Sequence, residues 1–89
     1  MAEEIYEMLD EFFQEKIEKI QNSNKNLNNE QLLELYGLYK QSIIGNNNTN
    51  NDFKTLKDKK MWDSWYKLYG IEQNRAKQSF IQKVHEFLY

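Results

Sequence analysis

Leu35-Tyr36-Gly37-Leu38-Tyr39-Lys40-Gln41-Ser42-Ile43-Ile44-Gly45 reads as the body of an amphipathic helix that stops at a glycine. Tyr36 and Tyr39 stand three apart, and Lys40 follows directly. On a helix this spacing puts two flat aromatic faces and a cation near one another. A π-face binds a base and an ammonium binds a phosphate, so the trio suits a phosphorylated nucleotide. From periodicity alone the blander reading weighs more: two half-buried core tyrosines with wet hydroxyls, and an ordinary surface lysine.

Working outward, Asn28 with Gln31 three residues later reads as a capping box, so this helix begins near Asn28 or Asn29. Leu32, Tyr36, Tyr39 and Ile43 fall on one face, with Leu35 and Leu38 beside it. Gly37 sits mid-helix at a cost of about 1 kcal/mol relative to alanine. It is either tolerated, or its missing side chain lets something approach between the tyrosines. Upstream, Ile5, Leu9, Phe13, Ile17 and Ile20 recur at steps of four and three, which predicts a helix from about Glu3 to Gln21. Met8 and Phe12 widen its stripe. Downstream, the asparagine-rich 46–51 stretch reads as a solvated loop. Thr55 with Asp58 caps a third helix carrying Trp62, Trp65, Tyr66 and Tyr69, ended by Gly70. A fourth spans about Glu72 to Leu88, with Ala76, Phe80, Ile81, Val84, Phe87 and Leu88 as its apolar side.

These segments predict an all-α fold, a small four-helix bundle. Absence of proline and three glycines in 89 residues agree with it. The length suits one domain with one modest core. With no cysteine, disulfides and thiolate metal sites are excluded, and a reducing compartment fits. A net charge of −2 argues against a nucleic-acid binder that relies on a general positive field. An anionic ligand must be met by a local lysine cluster. The acidic start, Met1-Ala2-Glu3-Glu4-Ile5-Tyr6, does not read as a secretory signal, and no apolar run reaches membrane-spanning length. A cytoplasmic location is the expectation.

The tyrosine helix ending in Lys40-Gln41 and a glycine, followed by Trp62-Asp63-Ser64-Trp65, closely resembles the signature of the acyl-CoA-binding protein family. The resemblance is specific from about Asn28 to Leu88; over the first helix only Phe13, Ile17 and Ile20 carry it. It implies an up-down-down-up bundle in which the long second loop lets helices two and three run parallel. It further implies that Tyr36 and Tyr39 lie against an adenine and that Lys40 meets the 3′-phosphate of the ribose. That reverses the weighing of the tyrosine–lysine trio.

Three departures stand out. The family places a lysine immediately before the first tryptophan, where this chain has Met61; Lys60 is one residue away, about 100° around a helix. A ligand-contacting tyrosine of the last helix aligns with Phe80, so a hydroxyl is lost and the ring remains. Basic residues expected near the end of the first helix are replaced by Gln21, Asn24 and Asn26, with Lys25 the nearest charge, and the usual proline before helix two aligns near Leu27.

The run Lys54, Lys57, Lys59 and Lys60 is by default a solvated face balanced by Asp52 and Asp58. Its functional reading is the second half of a phosphate clamp, with Lys57 or Lys60 standing in for the missing lysine. Trp62 and Trp65 read as core, and Asp63 as structural. The one histidine, His85, lies among Val84, Glu86 and Phe87 with no partner in view, so neither a catalytic triad nor a metal site is expected.

The resemblance thus implies a non-catalytic binder of long-chain acyl-CoA, acting as an intracellular carrier and buffer, over residues 1–89 as a single domain. The expected ligand site comprises Tyr36, Tyr39, Lys40, Lys57, Lys60, Met61 and Phe80. No cofactor, nucleic acid or stable membrane insertion is expected; enzymes that use acyl-CoA are possible partners, and the chain is expected to be a monomer. The alternative is a small helical protein-interaction module without a lipid ligand.

Overall fold

The computed structural model describes the backbone of residues 2–23 and 25–89, and the side-chain surroundings of that set from residue 8 onward. Asn24 and the side chain of Ile5, both used above, lie outside the described residues. The order is α1 (Ala2–Gln21), α2 (Asn29–Ile43), α3 (Leu56–Tyr66) and α4 (Gln73–Leu88).

The starts and stops follow local chemistry. Asn28 accepts a hydrogen bond from the Gln31 backbone N–H at 2.8 Å, and its own N–H donates back to the Gln31 side chain at 3.0 Å. This reciprocal pair satisfies two otherwise unpaired donors at the start of α2. Thr55 accepts from the Asp58 N–H at 3.0 Å and opens α3. Gly45 ends α2 at φ 96°, a region that disfavours any residue with a Cβ. The third helix is shorter than its aromatic spacing predicts: it ends at Tyr66, and Tyr69 belongs to a turn that closes at Gly70 with φ 92°.

Cross-helix contacts give the directions. Asp10 pairs with Lys77 at 2.6 Å and Phe13 packs on Phe80, so α1 and α4 run parallel. Glu34 pairs with Lys83, while Gln73 near the start of α4 donates to the Ser42 carbonyl, so α2 and α4 run antiparallel. Leu32 and Leu56 share a cleft one end along, and Gly37 meets Ser64 further on, so α2 and α3 run parallel. The bundle is therefore up-down-down-up, as the resemblance implies, with α4 against both α1 and α2, and α3 on the far side of α2.

The core gathers Phe13, Leu35, Leu38, Phe80 and Val84, all at most 7 % exposed, with Ile17, Ile20, Leu27, Tyr39 and Ile81 around them. Leu35 and Leu38, rather than the Leu32–Ile43 face, are thus the buried side of α2. Leu32 and Ile43 are 47 % and 44 % exposed. Met8 and Phe12 do not extend the buried stripe of α1 either; both are at least half exposed, because α1 packs along the Phe13–Ile17–Ile20 line.

The asparagine run corrects the reading of a simply solvated loop. Asn47 is 2 % exposed. Its Nδ2 donates to the Trp62 carbonyl, and its Oδ1 accepts from the backbone and hydroxyl of Thr49. The Asn46 Oδ1 accepts from Gln41 Nε2 at 3.0 Å and from the Gly70 N–H at 2.7 Å. Both side chains replace solvent for backbone groups that a crossing loop would otherwise leave unpaired. They tie the long connection to α2, α3 and the α3–α4 turn.

Candidate functional site

At Gly37 the backbones of α2 and α3 come close together; its face meets the Ser64 carbonyl of α3. Toward their N-termini the two parallel helices leave an open cleft of about 750 Å³, within the usual size for small-ligand sites. Leu32, Leu33 and Tyr36 form the α2 wall, with Asn29 and Glu30 at the outer end. Leu56, Lys57, Lys60 and Met61 form the α3 wall. Leu56 is 67 % exposed, which leaves apolar surface facing water inside a concave site.

Tyr36 and Met61 also line a second hollow of about 390 Å³, shared with Phe53, Lys54, Trp62 and Trp65. These two side chains therefore divide an apolar cleft from a more polar, aromatic hollow. Lys40 lies at this boundary, with its Nζ 5.8 Å from the Tyr36 ring centre and 5.8 Å from that of Trp65. An ammonium over two π-faces is a favourable placement that leaves its N–H groups open to an anion. Among the described residues no ion pair involves Lys40, Lys54, Lys57 or Lys60. Burial pushes the Tyr36 phenol above its ordinary range, so it stays neutral and can donate its O–H.

The structure sorts the sequence candidates. Tyr36, Lys40, Lys57, Lys60 and Met61 are brought to the cleft and its boundary. Lys59 is not; it pairs with Asp63 at 2.9 Å, which gives Asp63 its structural task. Lys60 lines the cleft beside Met61, so the one-residue offset does not turn it away as the helical wheel predicts. A long flexible stem covers that rotation.

Phe80, expected in the ligand site, lies apart from the cleft. It is 4 % exposed, edge-on to Phe13 at 5.0 Å and 6.3 Å from Tyr39, and takes no part in the cleft wall. The loss of a phenolic hydroxyl suits this apolar seat. Tyr39 turns the same way, stacked on Phe13 at 6.2 Å and 17°, and is half-buried. The two tyrosines thus face different neighbours, Tyr36 toward α3 and Tyr39 toward α1 and α4.

Lys54, already named in the lysine run, lines the second hollow; the sequence reading missed Leu32, Leu33 and Leu56 as cleft walls. Their signal was the apolar residues of α2 and α3 left over once the core stripe is filled. The tryptophans are anchored rather than free: Trp65 donates to the Gly45 carbonyl at 2.8 Å, and Trp62 donates to Thr49 and stacks on Tyr66 at 4.6 Å. His85 lies exposed against Tyr89, away from the cleft. Among the described residues no cluster of His, Asp or Glu could hold a metal, and no helix is long and apolar enough to cross a membrane.

Met61 lines both hollows, whereas Lys60 lines only the cleft. A lysine at 61 adds a cation on the Lys40 side that Lys60 does not supply. Met61→Lys is therefore expected to tighten binding of a phosphorylated ligand by about 1 kcal/mol, an advantage that shrinks as salt is raised. Titration at low and high salt checks this. Unchanged affinity at low salt would mean that Lys57 or Lys60 already does the work, and a large loss would mean that the Met61 side chain packs on the ligand.

The family model described as acyl CoA binding protein matches residues 10–84. An acyl-CoA-binding protein of Ricinus communis is 37 % identical over 81 residues, covering 90 % of this chain and 90 % of that one. One from Saccharomyces cerevisiae is 30 % identical over 82 residues, covering 91 % and 94 %. Among solved structures, the crystal structure of Oryza sativa acyl-CoA-binding protein 2 superposes with a TM-score of 0.84 at 37 % identity, covering 90 % of each chain.

Proposed function

The chain belongs to the acyl-CoA-binding protein family, and from that premise we propose that it binds long-chain acyl-CoA without converting it, as an intracellular carrier and buffer. One observation carries the reading: an apolar cleft ends at Tyr36, and Lys40 lies over that ring with no carboxylate partner among the described residues. The acyl chain lies between Leu32 and Leu33 on one side and Leu56 and Met61 on the other. The nucleotide head lies on the Tyr36–Lys40 side, with Lys57 and Lys60 at its flank. Tyr39 offers the exposed part of its ring, and Phe80 holds that ring from behind. The whole of 1–89 acts as one such domain, as a monomer in the cytoplasm, handing ligand to enzymes that consume it.

The energetics favour the whole ester over either half. A methylene withdrawn from water contributes about 0.8 kcal/mol, so a dozen give a gross gain of about 10 kcal/mol before ordering costs. Base stacking adds about 1–3 kcal/mol, and a lysine–phosphate contact adds a charge-assisted hydrogen bond. Trp62 and Trp65 border the second hollow, so their fluorescence is a natural readout. Palmitoyl-CoA is expected to saturate the protein at far lower concentration than free CoA or free palmitate. Equal affinity for palmitate and palmitoyl-CoA would remove the head site from the reading. No binding of any of the three would leave an interaction module without a lipid ligand.

A further inference from the structure

We propose that Gly37 sets the width of the α2–α3 cleft and thereby how steeply affinity rises with acyl-chain length; this rests on the reading that the cleft holds the acyl chain. A Cβ at Gly37 would overlap the Ser64 carbonyl oxygen and stand 2.8 Å from its carbonyl carbon. Both atoms are backbone of α3, so no rotamer change relieves the contact. Gly37 is thus required by close approach, not by its dihedral angles, since its φ is not positive.

This contact is the edge of the cleft. Tyr36, the residue before Gly37, lines the cleft, and so do Lys60 and Met61, one turn before Ser64. The Ser64 hydroxyl donates to the Lys60 carbonyl at 2.8 Å, which couples the contact to the turn that forms the wall. α3 is also held to the connection after α2, by Trp65 to the Gly45 carbonyl and by Asn47 to the Trp62 carbonyl. A side chain at 37 meets helix backbone, so relief comes from moving this part of α3 away from α2. Reaching ordinary contact needs a shift of about 1 Å. Leu33 and Met61 would then face each other across a wider gap.

In a close-fitting apolar groove each methylene is worth roughly fourfold in affinity. A gap of about 0.5–1 Å forfeits a quarter to a half of a van der Waals contact. Gly37→Ala is therefore expected to lower the increment to about two- to threefold per methylene. The experiment is a tryptophan-fluorescence titration with saturated acyl-CoA esters of ten, twelve, fourteen and sixteen carbons. Leu68→Phe is a second wedge, because the Leu68 side chain is the next atom that a Cβ at 37 would meet, at 3.4 Å. It decides the matter if Gly37→Ala does not fold, and a lowered increment is expected in it too. Val84→Ala, a core change in α4, is the control; it should lower stability and leave the increment unchanged.

A parental increment retained by the folded wedge variants would overturn the role of Gly37. An equal fall in Val84→Ala would do so as well, since general loosening would then suffice. If the parent itself shows no rise with chain length, the assignment of the cleft to the acyl chain fails instead, a result distinct from either.

Discussion

Phe13→Ala is expected to destabilise the fold by about 3–5 kcal/mol, the range for removing a large buried aromatic. Phe13 is 2 % exposed. Its ring meets Phe80 edge-on at 5.0 Å and stacks on Tyr39, so one side chain of α1 reaches both α4 and α2. Lys77 Nζ lies 5.9 Å from the same ring. Truncation removes the transfer energy of the ring and leaves a cavity that three helices border. Rigid backbones on each side limit collapse into it. A chain this size has about 4–13 kcal/mol in total, so the loss is a large fraction of it. Urea titration followed by far-UV circular dichroism measures the change. A cost below about 1 kcal/mol would mean that the helices close over the site, or that α1 contributes little to the cooperative unit. The Lys77–Asp10 pair nearby is no substitute for the ring, because the Asp10 side chain is 57 % exposed and such pairs contribute about 0–1 kcal/mol.

What was legible in the sequence is what is local. The Asn28–Gln31 and Thr55–Asp58 caps are fixed by residues three apart, and both form as read. The same holds for the four helices and for Ala76, Phe80 and Val84 as the buried side of α4. Illegible features depend on partners far along the chain. Gly37 answers to Ser64, and Asn46 to Gly70, neither visible in a window of one helix. Composition misled at Asn47, since a polar loop residue is buried wherever it replaces water for backbone groups. Met8 and Phe12 fit the period of α1 and still face solvent, because period fixes a face but not its width.

The candidate site divides the same way. Tyr36, Lys40, Lys57, Lys60 and Met61 converge because α2 and α3 run parallel. That direction came from the resemblance; no periodicity contains it. Phe80 and Tyr39 separate from them because α4 and α1 claim the opposite side of α2. Leu32, Leu33 and Leu56 were legible as apolar and illegible as wall, because a leucine in a core and a leucine in a groove have the same helical spacing.

Lys40→Ala is expected to weaken acyl-CoA binding by about 1.5–3 kcal/mol, roughly tenfold to more than a hundredfold. The lysine lies across Tyr36 and Trp65 at the boundary between the apolar cleft and the aromatic hollow. Among the described residues it has no carboxylate partner to give up before taking a phosphate. Folding should lose little, about 1 kcal/mol or less, since a partly exposed cation over an aromatic ring is worth about 0.5–1 kcal/mol. The separation of a binding loss from a stability loss is itself informative: a residue that merely shapes the hollow would move both. The sharper comparison is palmitoyl-CoA against palmitoyl-dephospho-CoA, which lacks the 3′-phosphate. If Lys40 meets that group, the substitution costs the full amount with the first ligand and little with the second. Parent protein should then prefer the phosphorylated ester by a similar factor, and that preference should shrink as salt screens the pair. An equal loss with both esters would place Lys40 against the pyrophosphate or the adenine face instead. The 3′-phosphate would then fall to the remaining cations, Lys57 and Lys60, on the opposite wall.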